Sequence, residues 1–396
     1  MNGSRLIRFV LGITAVFALI LITNYTPPSL AATGPSLLTD ELRQEVQKYG
    51  EIPIIIALDV PAHRAWQESG SSSTPDLARI EQVSQAIART ADQLLDRLSG
   101  ANISQIKRYE YFPLLAMIVD EAALEALAAD KTIIDIGLDI AVPPAMDDTI
   151  PLIGANNNHF LNYTGSGWSV AILDTGVDKN HPALFGKVIS EACYSSNVPA
   201  QGATSLCPGG ATSSTATNSG LHCATGISGC DHGTHVAGIA ARVAPDARLI
   251  PIQVFSRFSD SGSNTPCQNV NRTSPCTLSF TSDQVSALNR VWALHISGNN
   301  INVASANMSL GGGFHTGPCD HLSQYNGLRL AINQLRDQNV ATVIASGNSN
   351  YRNAMAAPAC LTPAISVAAS DKSDQVASFS NISVYTTLIA PGTPIL

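Results

Sequence analysis

Trp168-Ser169-Val170-Ala171-Ile172-Leu173-Asp174-Thr175-Gly176-Val177-Asp178 is the stretch on which the fold turns. Its first half is an apolar β run, which ends on an acid and then turns at glycine. Open α/β sheets hold a carboxylate in this way, at the carboxyl end of a parallel strand, where their sites lie. Further along, Cys230-Asp231-His232-Gly233-Thr234-His235-Val236-Ala237-Gly238 sets a histidine at the mouth of a helix. A histidine there can serve as a general base. Two later segments, Asn302-Val303-Ala304-Ser305-Ala306-Asn307-Met308-Ser309-Leu310-Gly311-Gly312-Gly313 and Ala341-Thr342-Val343-Ile344-Ala345-Ser346-Gly347-Asn348, repeat the pattern of strand and glycine-bearing turn.

Around these blocks strands alternate with helices. The pattern predicts strands at Val170–Leu173, Leu249–Val254, Ile301–Ser305, Ala341–Ile344 and Ala364–Ala368, and helices at His232–Val243, Ser282–Ile296 and Leu322–Asn339. Such alternation implies a parallel sheet covered on both faces. Cys193 to Ser228 is rich in Ser, Thr, Gly and Ala without periodicity, and reads as a long surface insertion tethered by cysteines.

A second unit precedes this one. Strand Ile52–Val60, a polar stretch Ser69–Thr74, and a helix starting near Pro75-Asp76 come first. Strands Ile106–Tyr111 and Leu114–Val119, helix Glu121–Ala129 and strand Ile133–Leu138 follow. The order βαββαβ is that of a small α+β split-βαβ domain. Pro143-Pro144 and Asp147-Asp148 read as an exposed linker open to cleavage. Ahead of both units, Arg5 and Arg8, the apolar run Phe9–Ile22 and Ser29-Leu30-Ala31-Ala32 have the layout of a signal peptide over residues 1–32. The apolar run is shorter than the roughly 20 residues a bilayer span needs.

The chain is 45% hydrophobic and only 13% charged, where a typical soluble protein has about 25% charged residues. A net charge of −8 without a basic run excludes nucleic acid as the expected partner, and nothing resembles a polybasic membrane patch. All eight cysteines lie at or beyond Cys193, as expected of disulfides in an exported region. Sequence proximity favours Cys267 with Cys276; Cys193 with Cys230, Cys207 with Cys223, and Cys319 with Cys360 complete one set among many. Zinc at Cys223, Cys230, His222, His232 and His235 is the weaker alternative, because no C-x-x-C spacing occurs.

In the order Asp, His, Asn, the blocks at Asp174, His232, Ser309 and Asn348 resemble the subtilisin-like serine proteases, from about Trp168 onward. The resemblance implies a secreted or periplasmic serine endopeptidase acting on protein or peptide substrates. Its fold would be a subtilisin-like parallel sheet flanked by helices, over residues 147–396. Asp174 would orient His232, His232 would serve as general base and then general acid, and Asn348 would donate to the oxyanion. Ser309-Leu310-Gly311 and Ala345-Ser346-Gly347 would be extended edges pairing with the substrate backbone. Residues 33–146 would be an inhibitory propeptide, an intramolecular partner whose tail near Ile140–Met146 fills the substrate cleft. His235 is read as packed against the fold, and Asp178 and His181 as ordering the turn after the first strand. Asp174 as a turn cap and Asn348 as an ordinary left-handed turn residue stay open.

Two departures from the family pattern stand out. The family's high-affinity calcium site uses an acid where this chain has Ala183 and a loop where it runs Ala240-Ala241-Arg242-Val243-Ala244-Pro245, so that site is expected to be absent and no cofactor is expected. The nucleophile block Gly-Thr-Ser-Met-Ala-x-Pro, expected beyond Leu388-Ile389-Ala390-Pro391-Gly392, occurs nowhere in the 396 residues. The peptidase domain is therefore expected to be incomplete at its carboxyl end, and the 396-residue chain to fold poorly or to be inactive. A catalytically dead peptide-binding pseudoprotease and a prodomain that alone folds as a protease inhibitor are the rival expectations.

Overall fold

The computed structural model describes residues 37–68, 76–142, 163–297 and 299–393. The signal-peptide reading, the polar stretch Ser69–Thr74 and the linker at Pro143-Pro144 and Asp147-Asp148 lie outside the described residues. The described residues form one compact unit.

Its amino-terminal part comprises α1 (Asp40–Tyr49), β1 (Glu51–Leu58), α2 (Pro61–Glu68), α3 (Leu77–Arg97), β2 (Ile103–Arg108), β3 (Leu114–Asp120), α4 (Glu121–Ala129), β4 (Ile133–Leu138) and β5 (Ala141–Val142). Helix α3 buries Ile80, Val83, Ile87, Ala91 and Leu94, a helical spacing that turns one face to the core. Asp76 caps its start by accepting from the Arg79 amide at 3.1 Å. The sheet order is β2-β3-β1-β4, with antiparallel pairings.

Strand β1 is apolar almost without interruption because both its faces are covered. Ile52, Ile54, Ile56 and Leu58 join the core made with α1, α3 and α4. Ile55 and Ala57 instead join a core shared with Val285, Leu288 and Trp292 of the carboxyl-terminal part. Two-sided burial is the condition that replaces alternation by a continuous apolar run.

Strand β2 starts and ends three residues earlier than predicted. Gln105 takes a positive φ of 49° and the register with β3 slips between Ser104 and Lys107, a bulge that shifts the alternation. Tyr109, which the predicted strand included, and Phe112 are buried in the turn that follows.

The carboxyl-terminal part contains β6 (Ser169–Asp174), β7 (Ala192–Tyr194), β8 (Ala203–Ser205), β9 (Ser213–Ser214), α5 (His232–Val243), β10 (Arg248–Gln253), β11 (Ser256–Phe258), β12 (Cys276–Phe280) and α6 (Thr281–Ile296). It continues through β13 (Val303–Met308), β14 (Gly312–His315), α7 (Asn326–Asp337), β15 (Ala341–Ala345), β16 (Met355–Ala357), β17 (Ile365–Ser370) and β18 (Leu388–Pro391). Eight strands form one sheet in the order β18-β17-β15-β13-β6-β10-β7-β9. Every pairing in it is parallel except β7 with β9. The predicted helix Leu322–Asn339 begins instead with a short 3-10 turn, Ser323–Tyr325, before α7.

The segment from Cys193 to Ser228 is more than a surface insertion. Strand β7 extends the main sheet beside β10 through Ile252↔Ala192 and Gln253↔Cys193, and β8 pairs with β11. Two of the expected disulfides are present, Cys267–Cys276 and Cys319–Cys360. The other two expectations are corrected to Cys193–Cys207 and Cys223–Cys230. The chain doubles back after β7, so that near neighbours in sequence pair at Cα separations of 5.5 and 5.2 Å, inside the range a disulfide spans.

Candidate active site

Asp174 is the last residue of β6 and is fully buried. Its Oδ1 accepts from the Thr175 amide at 2.7 Å and lies 2.8 Å from His232 Nδ1. A carboxylate only accepts, so this contact puts the imidazole proton on Nδ1 and leaves Nε2 the basic nitrogen. His232 is the first residue of α5, and its side chain is 13% exposed.

Thr175 locks the two elements together. Its buried hydroxyl accepts from the Gly233 amide at 3.0 Å and donates to the Cys230 carbonyl at 3.3 Å. Glycine is required at 233, since a Cβ there would sit 2.3 Å from the Gly176 carbonyl oxygen and 3.1 Å from Asp174 Oδ1. The next residue, Thr234, accepts at its Oγ1 from the Asp178 amide at 2.9 Å. Asp178 and His181 accept from Asn180 and Ala183 amides, ordering the turn after β6. His235 is half-buried on the same helix.

Ser309, Leu310 and Gly311 follow the end of β13, whereas Ala345 ends β15 and Ser346, Gly347 and Asn348 follow it. Strands β6, β13 and β15 are parallel neighbours, so all these residues share one edge of the sheet with Asp174. Ser309, Leu310 and Ser346 are buried, whereas Asn348 is exposed. Asp174 and His232 are thus in direct contact, and Asn348 stands at the same sheet edge. Thr175 escaped the sequence reading as a functional residue; its signal was a hydroxyl directly behind the acid of an apolar strand.

Beside this edge the amino-terminal part reaches across. Strand β5 pairs antiparallel with β12 through Ser279↔Val142 and Phe280↔Ala141; residues 143–146 of the expected tail lie outside the described residues. At the start of α6, Asp139 accepts from the Ser282 amide at 2.6 Å, a side chain meeting an unpaired amide of a helix terminus. Lys107 Nζ reaches Asp283 Oδ1 at 2.6 Å, Ser196 Oγ at 2.6 Å and Ser282 Oγ at 2.8 Å.

Burial pushes the Asp139 carboxyl up to about 6; Lys107 opposes the shift, Asp283 adds to it, and the hydrogen bonds from Ser282 lower it. A carboxyl raised in the folded chain gives stability that is complete below its ordinary value of 3.8 and lost as pH rises through about 6. Asp139→Asn is therefore expected to flatten that part of the pH profile of stability between pH 4 and 7. Urea-unfolding midpoints measured across this range check it, and a wild-type profile unchanged by the substitution counts against it.

Among the described residues no group of three or more His, Cys, Asp or Glu side chains is placed to hold a metal ion. Nor do the residues present fit the family's high-affinity calcium site. Ala183 offers no carboxylate, Asp178 Oδ1 is taken up by the Asn180 amide, and α5 runs unbroken from His232 to Val243. No helix among the described residues is long and apolar enough to cross a membrane.

Residues 165–395 match the family model of the Subtilase family, and the parallel sheet flanked by helices agrees with it. The chain belongs to the subtilase family. It is 40% identical over 125 residues to the minor extracellular protease Vpr of Bacillus subtilis, covering 29% of this chain and 13% of that protein. Identity to the subtilisin-like serine protease AsES of Sarocladium strictum is 29%, over 59% of this chain and 46% of that protein. With the M-protease of Shouchella clausii it is 28%, over 79% of this chain and 69% of the relative. The chain thus spans less than half the length of the first two of these relatives.

Proposed function

We propose that the full-length protein is an exported serine endopeptidase, with Asp174 and His232 as two members of its triad. The Asp174–His232 hydrogen bond of 2.8 Å at the carboxyl edge of a parallel sheet carries this reading. Peptide hydrolysis needs a base to take the nucleophile's proton, and a group to hold that base in one tautomer. His232 takes that proton on Nε2 and later gives it to the leaving amine; Asp174 fixes the ring and stabilises the imidazolium. The Asn348 side-chain amide donates to the oxygen that gains charge when the scissile carbonyl is attacked. Ser309–Gly311 and Ala345–Gly347 bind the substrate backbone as an added strand, a mode that makes few demands on side chains.

The nucleophile is a serine in a Gly-Thr-Ser-Met-Ala-x-Pro block, which these 396 residues do not contain. Ser346 and Ser205 are otherwise engaged: Ser346 Oγ donates to the Asn381 carbonyl and Ser205 Oγ to that of Ala211. Residues 33–146 act as an intramolecular inhibitor, a reading supported by β5 on β12 and by Asp139 at the start of α6. Export by a signal peptide over residues 1–32 is supported by the extracellular description of the Bacillus subtilis relative and by four disulfides among the described residues.

The full-length protein is expected to hydrolyse casein and to lose that activity on stoichiometric labelling by a serine-directed fluorophosphonate. The 396-residue chain is expected to stay unlabelled. A full-length protein without hydrolytic activity overturns the enzyme reading in favour of a peptide-binding role, and stoichiometric labelling of the 396-residue chain refutes the missing nucleophile.

A further inference from the structure

Asn381 lies 33 positions beyond Asn348, is fully buried, and touches the turn that carries Asn348 at every polar atom it has. Its Oδ1 accepts from the Ser349 amide at 2.8 Å and the Tyr351 amide at 3.1 Å. Its Nδ2 donates to the Ser346 carbonyl at 3.0 Å. Its own amide donates to the Gly347 carbonyl at 2.8 Å, and its carbonyl accepts from Ser346 Oγ at 2.7 Å. The contacts bracket Asn348 on both sides while its side chain stays exposed.

Only a primary amide of this length satisfies the set, because it needs two acceptor sites and a donor on one short side chain. Asn381 also packs closely against Gly347 of this turn. Gly347 has φ +107°, and a Cβ on it would lie 2.3 Å from Asn381 Nδ2. Neighbouring backbone bonds, Asn350 to Phe379 at 2.7 Å and Ile382 to Tyr351 at 2.8 Å, extend the same seam.

We infer that Asn381 is a positioning residue for the oxyanion donor: it fixes the Ser346–Tyr351 turn and, through it, the direction in which Asn348 presents its amide. The inference rests on the reading of Asn348 as that donor. A donor helps only where the oxyanion will form, and a misplacement of about 1 Å costs roughly 10²-fold.

The test is a double-mutant cycle in the full-length protein, read by steady-state hydrolysis of a peptide p-nitroanilide. Asn381→Ala is expected to lower kcat about 10²-fold, leaving KM nearly unchanged, and Asn348→Ala to lower it about 10²- to 10³-fold. The double variant should be no slower than Asn348→Ala alone, since Asn381 then has nothing left to aim. Should Asn381→Ala fail to fold, Asn381→Ser takes its place in the cycle: the backbone bonds to Gly347 and from Ser346 stay, and a short hydroxyl cannot serve the Ser346, Ser349 and Tyr351 partners together. Additive losses, or a loss confined to KM, overturn the positioning role.

Hydrogen exchange on the 396-residue chain separates this inference from the reading on which it rests. Ser349 and Tyr351 amides should be protected in the wild type and exchange faster in Asn381→Ala. If they are unprotected in the wild type, Asn381 does not hold the turn. If they are protected but the full-length protein is inactive, the peptidase reading fails and takes the catalytic role of Asn381 with it.

Discussion

Asp174→Asn in the full-length protein is expected to lower kcat about 10⁴-fold, the size of loss seen when the orienting acid of such a triad is neutralised. The local geometry makes this a change of charge more than of shape. Both the Thr175 amide and His232 Nδ1 meet the same oxygen, Oδ1. An asparagine in the matching orientation still accepts from both and fills the same buried space. The negative charge that stabilises the imidazolium in the transition state is lost, as is the preference that keeps the Nδ1 proton in place. Removing a fully buried charge spares desolvation, so the thermal midpoint is expected to hold while kcat falls. Kinetics and thermal unfolding on the same preparation separate the two effects. A loss below about tenfold in an intact fold would remove Asp174 from the triad, since it leaves only about 1.4 kcal/mol for the orienting group.

The parts of this architecture legible in the sequence are those whose cause is local. Helix α4 and strand β4 match their predicted bounds, since Asp120 caps the helix by accepting from the Ala123 amide at 2.8 Å. The apolar run ending in Asp174, and the histidine at the start of α5, were likewise written in neighbouring residues. Helix α1 was not predicted because it buries only Leu42 and Val46, too few to mark a period, although Thr39 and Gly50 cap it in readable fashion. Helix α2 owes its place to tertiary contacts. His63 lies 2.7 Å from Gln334, and the Trp66 ring meets Trp292 edge-on at 5.8 Å; neither partner is near in sequence. The Cys193–Cys207 pairing depends on where β7 turns back, which a stretch without periodicity does not announce. Asn381 is the extreme case: in Ser378-Phe379-Ser380-Asn381-Ile382-Ser383 it reads as one more polar loop residue. Its importance comes from a turn more than thirty positions away.

Lys107→Met is expected to cost the folded chain about 3–5 kcal/mol, the penalty for leaving one member of a buried ion pair without its partner. Lys107 belongs to β2 and Asp283 to α6, so the cost falls on the seam between the amino-terminal part and the sheet unit that carries the site. Asp283 is fully buried, and Lys107 keeps 15% of its side chain exposed. Without the lysine, Asp283 retains bonds from the Ser196 amide and hydroxyl, at 2.9 and 3.0 Å. Its other oxygen then loses its cation. Asp139, which Lys107 also holds down, would rise further for want of the same charge. Replacing Asp283 as well, Lys107→Met with Asp283→Asn, removes the stranded charge while a side-chain oxygen still accepts from the Ser196 amide and hydroxyl, and should recover much of the loss. Urea unfolding of the single and double variants decides the matter. If Lys107→Met costs under about 1 kcal/mol, the pair behaves as a solvated surface bridge and contributes little to holding the seam. If the double variant is as unstable as the single one, the loss lies in packing at α6 and not in the charge.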